Sequence, residues 1–136
     1  MNKRYLCIDH GLKYIGLALY DRELDLFWPL QELISSDKLI FEISEIIASH
    51  DASEIVVGWP VMLDGSEGEQ CKVVQGFVAE LSKICDKVIH KYDERFSNQI
   101  AESEYGFESH SLSAMIVLQS FINSQINIRN TQEKVH

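Results

Sequence analysis

The stretch YLCIDHGLKYIGLALY, Tyr5 to Tyr20, constrains the fold more than any other part of the chain. A continuous apolar run ends at Asp9. Gly11 and Gly16 then bracket a turn containing Lys13, and a second apolar run follows. That pattern predicts a strand over Arg4 to Asp9, a tight turn, and a hairpin partner over Ile15 to Tyr20, with a carboxylate at the lip. DLFWPL, Asp25 to Leu30, predicts a third short strand, which Pro29 ends or confines to an edge. Three strands joined by short turns make an antiparallel meander.

The period then changes. Leu39, Ile40, Ile43, Ile46 and Ile47 fall on one helical stripe between Asp37 and His50. EIVVGWP predicts a strand ending at Gly58 and Pro60, and a loop with Gly65 and Gly68 follows. Ser66 and Glu69 have capping-box spacing. The next helix is expected to bury Val73, Val74, Phe77, Val78, Leu81 and Ile84. KVIHKY predicts a fifth strand ending at Asp93. A short helix is expected after Ser97 and a long one from about Ser111 to Asn127. The last is apolar on more than one face, which favours burial between layers, with a dimer contact as the alternative. The whole predicts an α/β domain over residues 1–127, with a polar tail over 128–136. Its five-stranded mixed sheet carries helices on both faces, and its crossovers are right-handed. Chemistry in such sheets gathers at the carboxyl ends of strands. Asp9, Asp93 with Glu94, and His110 stand at matching ends.

Charge is unevenly distributed. The net charge is −9, and residues 23–69 hold eleven acids against Lys38 alone. That acidic middle argues against broad, sequence-blind affinity for nucleic acid, yet allows a local groove where Lys13 and Arg95 face a phosphate. No apolar run approaches the ~20 residues of a membrane span, and the start lacks a signal-peptide core, so a cytoplasmic protein is expected. Cys7, Cys71 and Cys85 form no C-x-x-C pair and read as reduced thiols.

Asp9 alone could cap a turn through nearby amides. YDERFS weighs against so plain a reading, because Asp93, Glu94 and Arg95 crowd another strand end. Either Glu94 and Arg95 form a surface ion pair, or the carboxylates hold a hard divalent cation that takes the rest of its shell from water and a phosphate. The start of the helix after MLDGSEG offers free amides, but Asp64, Glu67 and Glu69 crowd it, which favours a plain helix start over a phosphate cradle. Trp59 is expected to pack under that loop rather than stack on a base. His50 and His90 read as structural or solvent-facing, and His10 is left unassigned.

IDHGLKYIGLAL, VVGWPVMLDGSEG, YDERFS and SAMIVLQSFI, taken together and in order, resemble the YqgF/RuvX family. Its members are described as Holliday-junction-resolvase-like proteins and as pre-16S ribosomal RNA nucleases. The resemblance covers Tyr5 to about Asn123 and implies an RNase H-like fold. It implies that Asp9 is the first metal carboxylate and Glu94 the second, within the D-E-R motif that includes Asp93. It matches Gly11, Lys13 and Gly16 to the family's turn, Gly58, Pro60, Asp64, Gly65 and Gly68 to its glycine-rich loop, and Gln119 and Ser120 to its last helix. Lys13, Arg95, Gly11, Gly65 and Ser97 are the expected nucleic-acid contacts. Three positions depart from the family pattern: Tyr14 replaces an arginine, Met62 an asparagine, and His110 the third carboxylate. A helix N-terminus disfavours a cation, so His110 is expected as a neutral imidazole able to ligate; with two carboxylates it suits Mn²⁺ better than Mg²⁺. It could instead be a general acid or base, as could Asp93 complete the shell.

The expected function is therefore metal-dependent hydrolysis of structured nucleic acid, most directly 5′-end processing of pre-16S rRNA in a ribosome precursor, by a monomer or weak homodimer with no membrane partner. Two alternatives remain on the same fold: a non-catalytic RNA- or ribosome-binding module, and a nuclease of branched DNA. An actin-like ATPase lobe also opens on Asp-x-Gly, but 136 residues do not supply its second lobe.

Overall fold

The computed structural model describes residues 3–62, 64–93 and 110–135, with side chains as far as residue 128. Its elements are β1 (Arg4–His10), β2 (Tyr14–Asp21), β3 (Leu26–Pro29), β4 (Leu33–Ile34), α1 (Leu39–Ser49), β5 (Glu54–Trp59), α2 (Glu69–Ile84), β6 (Val88–Asp93) and α3 (His110–Val135). The strands lie in the order β3-β2-β1-β5-β6, with β4 also on β2. The β1–β2 and β2–β3 pairs are antiparallel and the β1–β5 and β5–β6 pairs parallel. The mixed sheet is as expected, with helices on both faces.

The sheet has six strands among the described residues rather than five. β2 is eight residues long and pairs with β3 at Ala18–Asp21 and with β4 at Tyr14 and Ile15. The chain leaves the sheet after Pro29 and returns at Leu33, so one edge is covered in two pieces. Two residues show no period, and β4 is invisible to pattern reading.

Alternation along β1 builds two cores. Leu6 and Ile8 join Ile15, Leu17 and Leu19 of β2 under Leu39, Ile43 and Ile47 of α1 and Val74, Phe77 and Leu81 of α2. Cys7 joins Ala18, Tyr20 and Val56 under Ala114, Val117, Leu118, Phe121 and Ile122 of α3. Each fully buried aliphatic side chain contributes roughly 1.5–3 kcal/mol. α3 is thus buried against the sheet, as its apolar breadth suggested, and its backbone stays helical to Val135, past the expected end at Asn127. On α2 the buried stripe is Cys71, Val74, Phe77 and Leu81; Val73 falls off that stripe and is exposed, and Ile84, on the stripe but at the last residue of the helix, is exposed as well. No capping box forms: Gly68 precedes the helix without a side-chain cap, and the Ser66 hydroxyl bonds the Asp64 carboxylate instead. No disulfide joins the three cysteines. Among the described residues no helix is long and apolar enough to cross a membrane.

Two polar clusters hold the strand ends far from Asp9. Asp21 is fully buried, accepting from Arg4 Nε at 2.9 Å and from the Leu24 amide at 3.0 Å. Glu54 bridges Lys3 Nζ at 2.9 Å and His90 Nε2 at 2.6 Å, and His90 packs on Phe121, so this histidine is structural. Burial pushes the Glu54 carboxyl up, but bonds from Lys3 and His90 outweigh it and hold the group below 4.5. A carboxyl that binds protons more weakly when folded stabilises the fold above its unfolded pKa, and loses that contribution as pH falls through the folded value. Glu54→Gln is therefore expected to cost about 1 kcal/mol at neutral pH. The difference should vanish well below pH 4.5, as read by urea unfolding at both pH values.

Candidate active site

Asp9 stands at the carboxyl end of β1, opposite Gly16 of β2. It stands two positions after Cys7, so it faces the α3 side of the sheet. Gly16 lies inside β2, not in the turn, which corrects its expected role as a turn glycine. The turn itself is closed by the Gly11 amide donating to the Tyr14 carbonyl at 3.0 Å. What Gly16 provides is clearance, because a Cβ there would sit 2.0 Å from the His110 carbonyl oxygen and 3.0 Å from the Ser111 nitrogen. The first turn of α3 therefore rests directly on the backbone of β2. Gly11 is constrained likewise, with a Cβ 2.6 Å from the Tyr14 carbonyl oxygen and 4.0 Å from His110 Nδ1.

One bond seals this contact. The amide and carbonyl of Leu17 fall in the gap between β4 and β3, and the carbonyl accepts from the Leu30 amide at 2.8 Å. The amide donates to Ser111 Oγ at 3.1 Å, and Ser111 is buried. Sequence reasoning treated Ser111 only as a helix boundary; no local pattern marks a hydroxyl whose partner is 94 residues away. Further along α3, the Ser120 hydroxyl bonds the Tyr92 hydroxyl at 2.7 Å and ties the end of β6 to the helix.

The structure thus brings Asp9, Gly11, Lys13, Tyr14, Gly16 and His110 to one rim. The Asp9 side chain is half-buried, yet among the described residues it accepts no hydrogen bond and forms no ion pair. The His110 ring lies 5.3 Å from the Tyr14 ring at 31°, and Lys13 Nζ sits 5.3 Å from the same Tyr14 ring. Asp93 is placed differently. It pairs with Trp59, which packs on the α1–α2 core, while His90 and Tyr92 face α3. Alternation puts Asp93 on the face opposite Asp9. Glu94, Arg95, Ser97 and the expected short helix lie outside the described residues. Among the described residues no three potential metal ligands form a cluster.

His10 takes the other face, 5.0 Å from Phe77, with its carbonyl accepting from Gln70 Nε2 at 3.1 Å. Burial pushes its pKa down, and Nδ1 has no hydrogen-bond partner among the described residues. The loop after β5 folds on itself. Gly65 adopts φ 90°, a conformation that glycine reaches without strain, and its amide bonds the Met62 carbonyl at 2.8 Å. Trp59 Nε1 donates to Glu67 and the Trp59 ring carries Lys91 Nζ at 4.7 Å, so Trp59 supports the loop as expected.

This sheet, with a carboxylate at the end of its first strand and the last helix packed against it, is RNase H-like. RuvC of Thermus thermophilus shares it, with a TM-score of 0.58 at 11% identity over 90% of this chain and 96% of that one. The same RuvC bound to a Holliday junction substrate gives 0.56 at 12% identity, over 85% and 91%. The chain belongs to the RuvX family, whose model, described as Holliday junction resolvase, matches residues 3–124; it is a member of a nuclease family. A relative from Sulfurihydrogenibium sp. named "Putative pre-16S rRNA nuclease" is 33% identical, over 88% of this chain and 90% of its own length. One of the same name from Maridesulfovibrio salexigens is 36% identical, over 74% and 76%.

Proposed function

We propose that this chain hydrolyses phosphodiester bonds in structured nucleic acid with a divalent metal, and that its substrate is the 5′ end of pre-16S rRNA in a cytoplasmic ribosome precursor. Asp9 carries the proposal. Taking a carboxylate half out of water with no partner among the described residues is costly, and a strand end is where this fold gathers chemistry. Asp9 and His110 share the rim and the face. One carboxylate and one imidazole are donors that Mg²⁺ or Mn²⁺ accepts, the nitrogen favouring Mn²⁺. Glu94, which follows Asp93 in the motif that resembles the family's D-E-R, is taken as the second carboxylate. Asp93, on the Trp59 face, is left out of the ligand set.

A divalent ion held there supplies an activated water and neutralises charge on the leaving oxygen. The chain's own groups do the rest. Asp9 and His110 orient the ligand shell, Lys13 and Arg95 hold the phosphate, and Gly11, Gly65 and Ser97 border the path of the strand. The acidic middle of the chain repels nucleic acid elsewhere and confines contact to this rim.

The test is cleavage of a pre-16S RNA carrying its 5′ extension, beside a four-way DNA junction, in Mg²⁺, in Mn²⁺ and in EDTA. Cleavage of the RNA is expected with either metal, and none with EDTA. Cleavage of the junction alone would make the chain a DNA nuclease. Cleavage of neither would leave a binding module.

A further inference from the structure

We propose that Tyr14 is a positioning residue that fixes the orientation of the His110 imidazole at the rim, an inference that rests on the reading of His110 given above. The backbone of His110 is held rigidly, against Gly16 below and through Ser111 beside it. The ring is not held in that way. Among the described residues neither of its nitrogens makes a hydrogen bond, and Gly11, where a Cβ would lie 4.0 Å from Nδ1, has no side chain to restrain it. What lies against the ring is Tyr14, with centroids 5.3 Å apart and planes inclined by 31°.

Tyr14 is itself well anchored for a residue at a hairpin tip. Its carbonyl closes the turn with the Gly11 amide, and it pairs with Ile34 of β4 on its outer side. The Ser35 amide bonds the Lys13 carbonyl at 2.8 Å, adding a second tie beside it. The short β4 strand therefore has a purpose in the site, since it stiffens the point from which Tyr14 reaches the imidazole. Lys13 Nζ, 5.3 Å from the same ring, is drawn to its π-system and stays near the rim. Residues that orient a metal-binding imidazole typically affect function by 10–100-fold, and one ring contact falls at the low end.

The test compares Tyr14→Phe with Tyr14→Leu. Two readouts are followed: the ring-proton NMR shifts of His110, identified by their loss in His110→Ala, and the kcat and KM of RNA cleavage. Tyr14→Phe should keep both. Tyr14→Leu should move the His110 ring protons downfield as the ring current is lost, and lower kcat about tenfold with KM little changed. In a His110→Ala background Tyr14→Leu should have no further effect. Unmoved His110 ring protons, or an equal loss in both backgrounds, would overturn the proposal. If the wild type proves inactive while the ring protons still move, the assigned activity falls and the positioning stands.

Discussion

Asp9→Asn is expected to abolish cleavage while leaving the fold as stable as before, or slightly more so. The substitution keeps size and shape and removes only the charge. Outer residues that merely orient a metal ligand alter function by 10–100-fold, so removing a charged ligand itself should cost at least about 10²-fold. Stability should move the other way. Asp9 is half-buried, and among the described residues nothing pairs with its carboxylate. A neutral amide there removes a half-buried charge and loses no bond to the described residues. Asp21 shows the contrast: its carboxylate is buried deeper but bonded to Arg4 and to a backbone amide, which marks it as structural. The measurement is RNA cleavage in Mn²⁺ together with a urea unfolding curve. Activity equal to wild type would remove Asp9 from the chemistry. Lost activity with a large loss of stability would mean that the side chain holds the turn instead.

What the sequence made legible followed the pattern of its apolar residues. The β1–β2 hairpin is read from two apolar runs about a glycine turn, the stripe of α1 from a repeat at 3.6, and the burial of α3 from apolar residues on more than one face; all are present. The failures share a cause as well. β4 is two residues long, so its place depends on where the chain returns after Pro29. Val73 is apolar and next to a buried position, and only the packed helix shows that it faces solvent. The capping-box spacing at Ser66 is present, but the helix starts only at Glu69 with Gly68 as its cap, and the Ser66 hydroxyl donates to Asp64 instead. For the site, Asp9 and His110 could be named from motifs. What the string did not show is the contact beneath them, where Gly16 pairs with Asp9 and the backbone of His110 rests on Gly16 for want of a side chain there. Asp93 shows the same limit. Adjacent acids look equivalent in a string, whereas a strand sends successive residues to opposite faces.

Gly16→Ala is the sharpest test of that geometry, and it is expected to be among the most damaging single substitutions in the chain. The added Cβ would lie 2.0 Å from the His110 carbonyl oxygen and 2.4 Å from its carbon. Both are backbone atoms, so no rotamer change relieves the clash. The start of α3 must lift by more than an ångström, and three things go with it. The Leu17 amide loses Ser111 Oγ and is left buried without a partner. Ala114, Val117 and Leu118 separate from Ala18 and Cys7. The His110 ring leaves both Tyr14 and the Asp9 rim. Overpacking of this kind costs about 3 kcal/mol or more when the obstructing atoms cannot move. Cleavage should fall with it. Gly76→Ala is the matched control. Gly76 is exposed in the middle of α2, and a Cβ there meets nothing within 4 Å. An alanine in a helix interior is worth about 1 kcal/mol over glycine, so this variant should be more stable than the wild type and equally active. Opposite signs from one chemical change would show that Gly16 is there because a helix must touch a strand. A tolerated Gly16→Ala would mean that α3 does not rest on β2, and the rim shared by Asp9 and His110 would have no support.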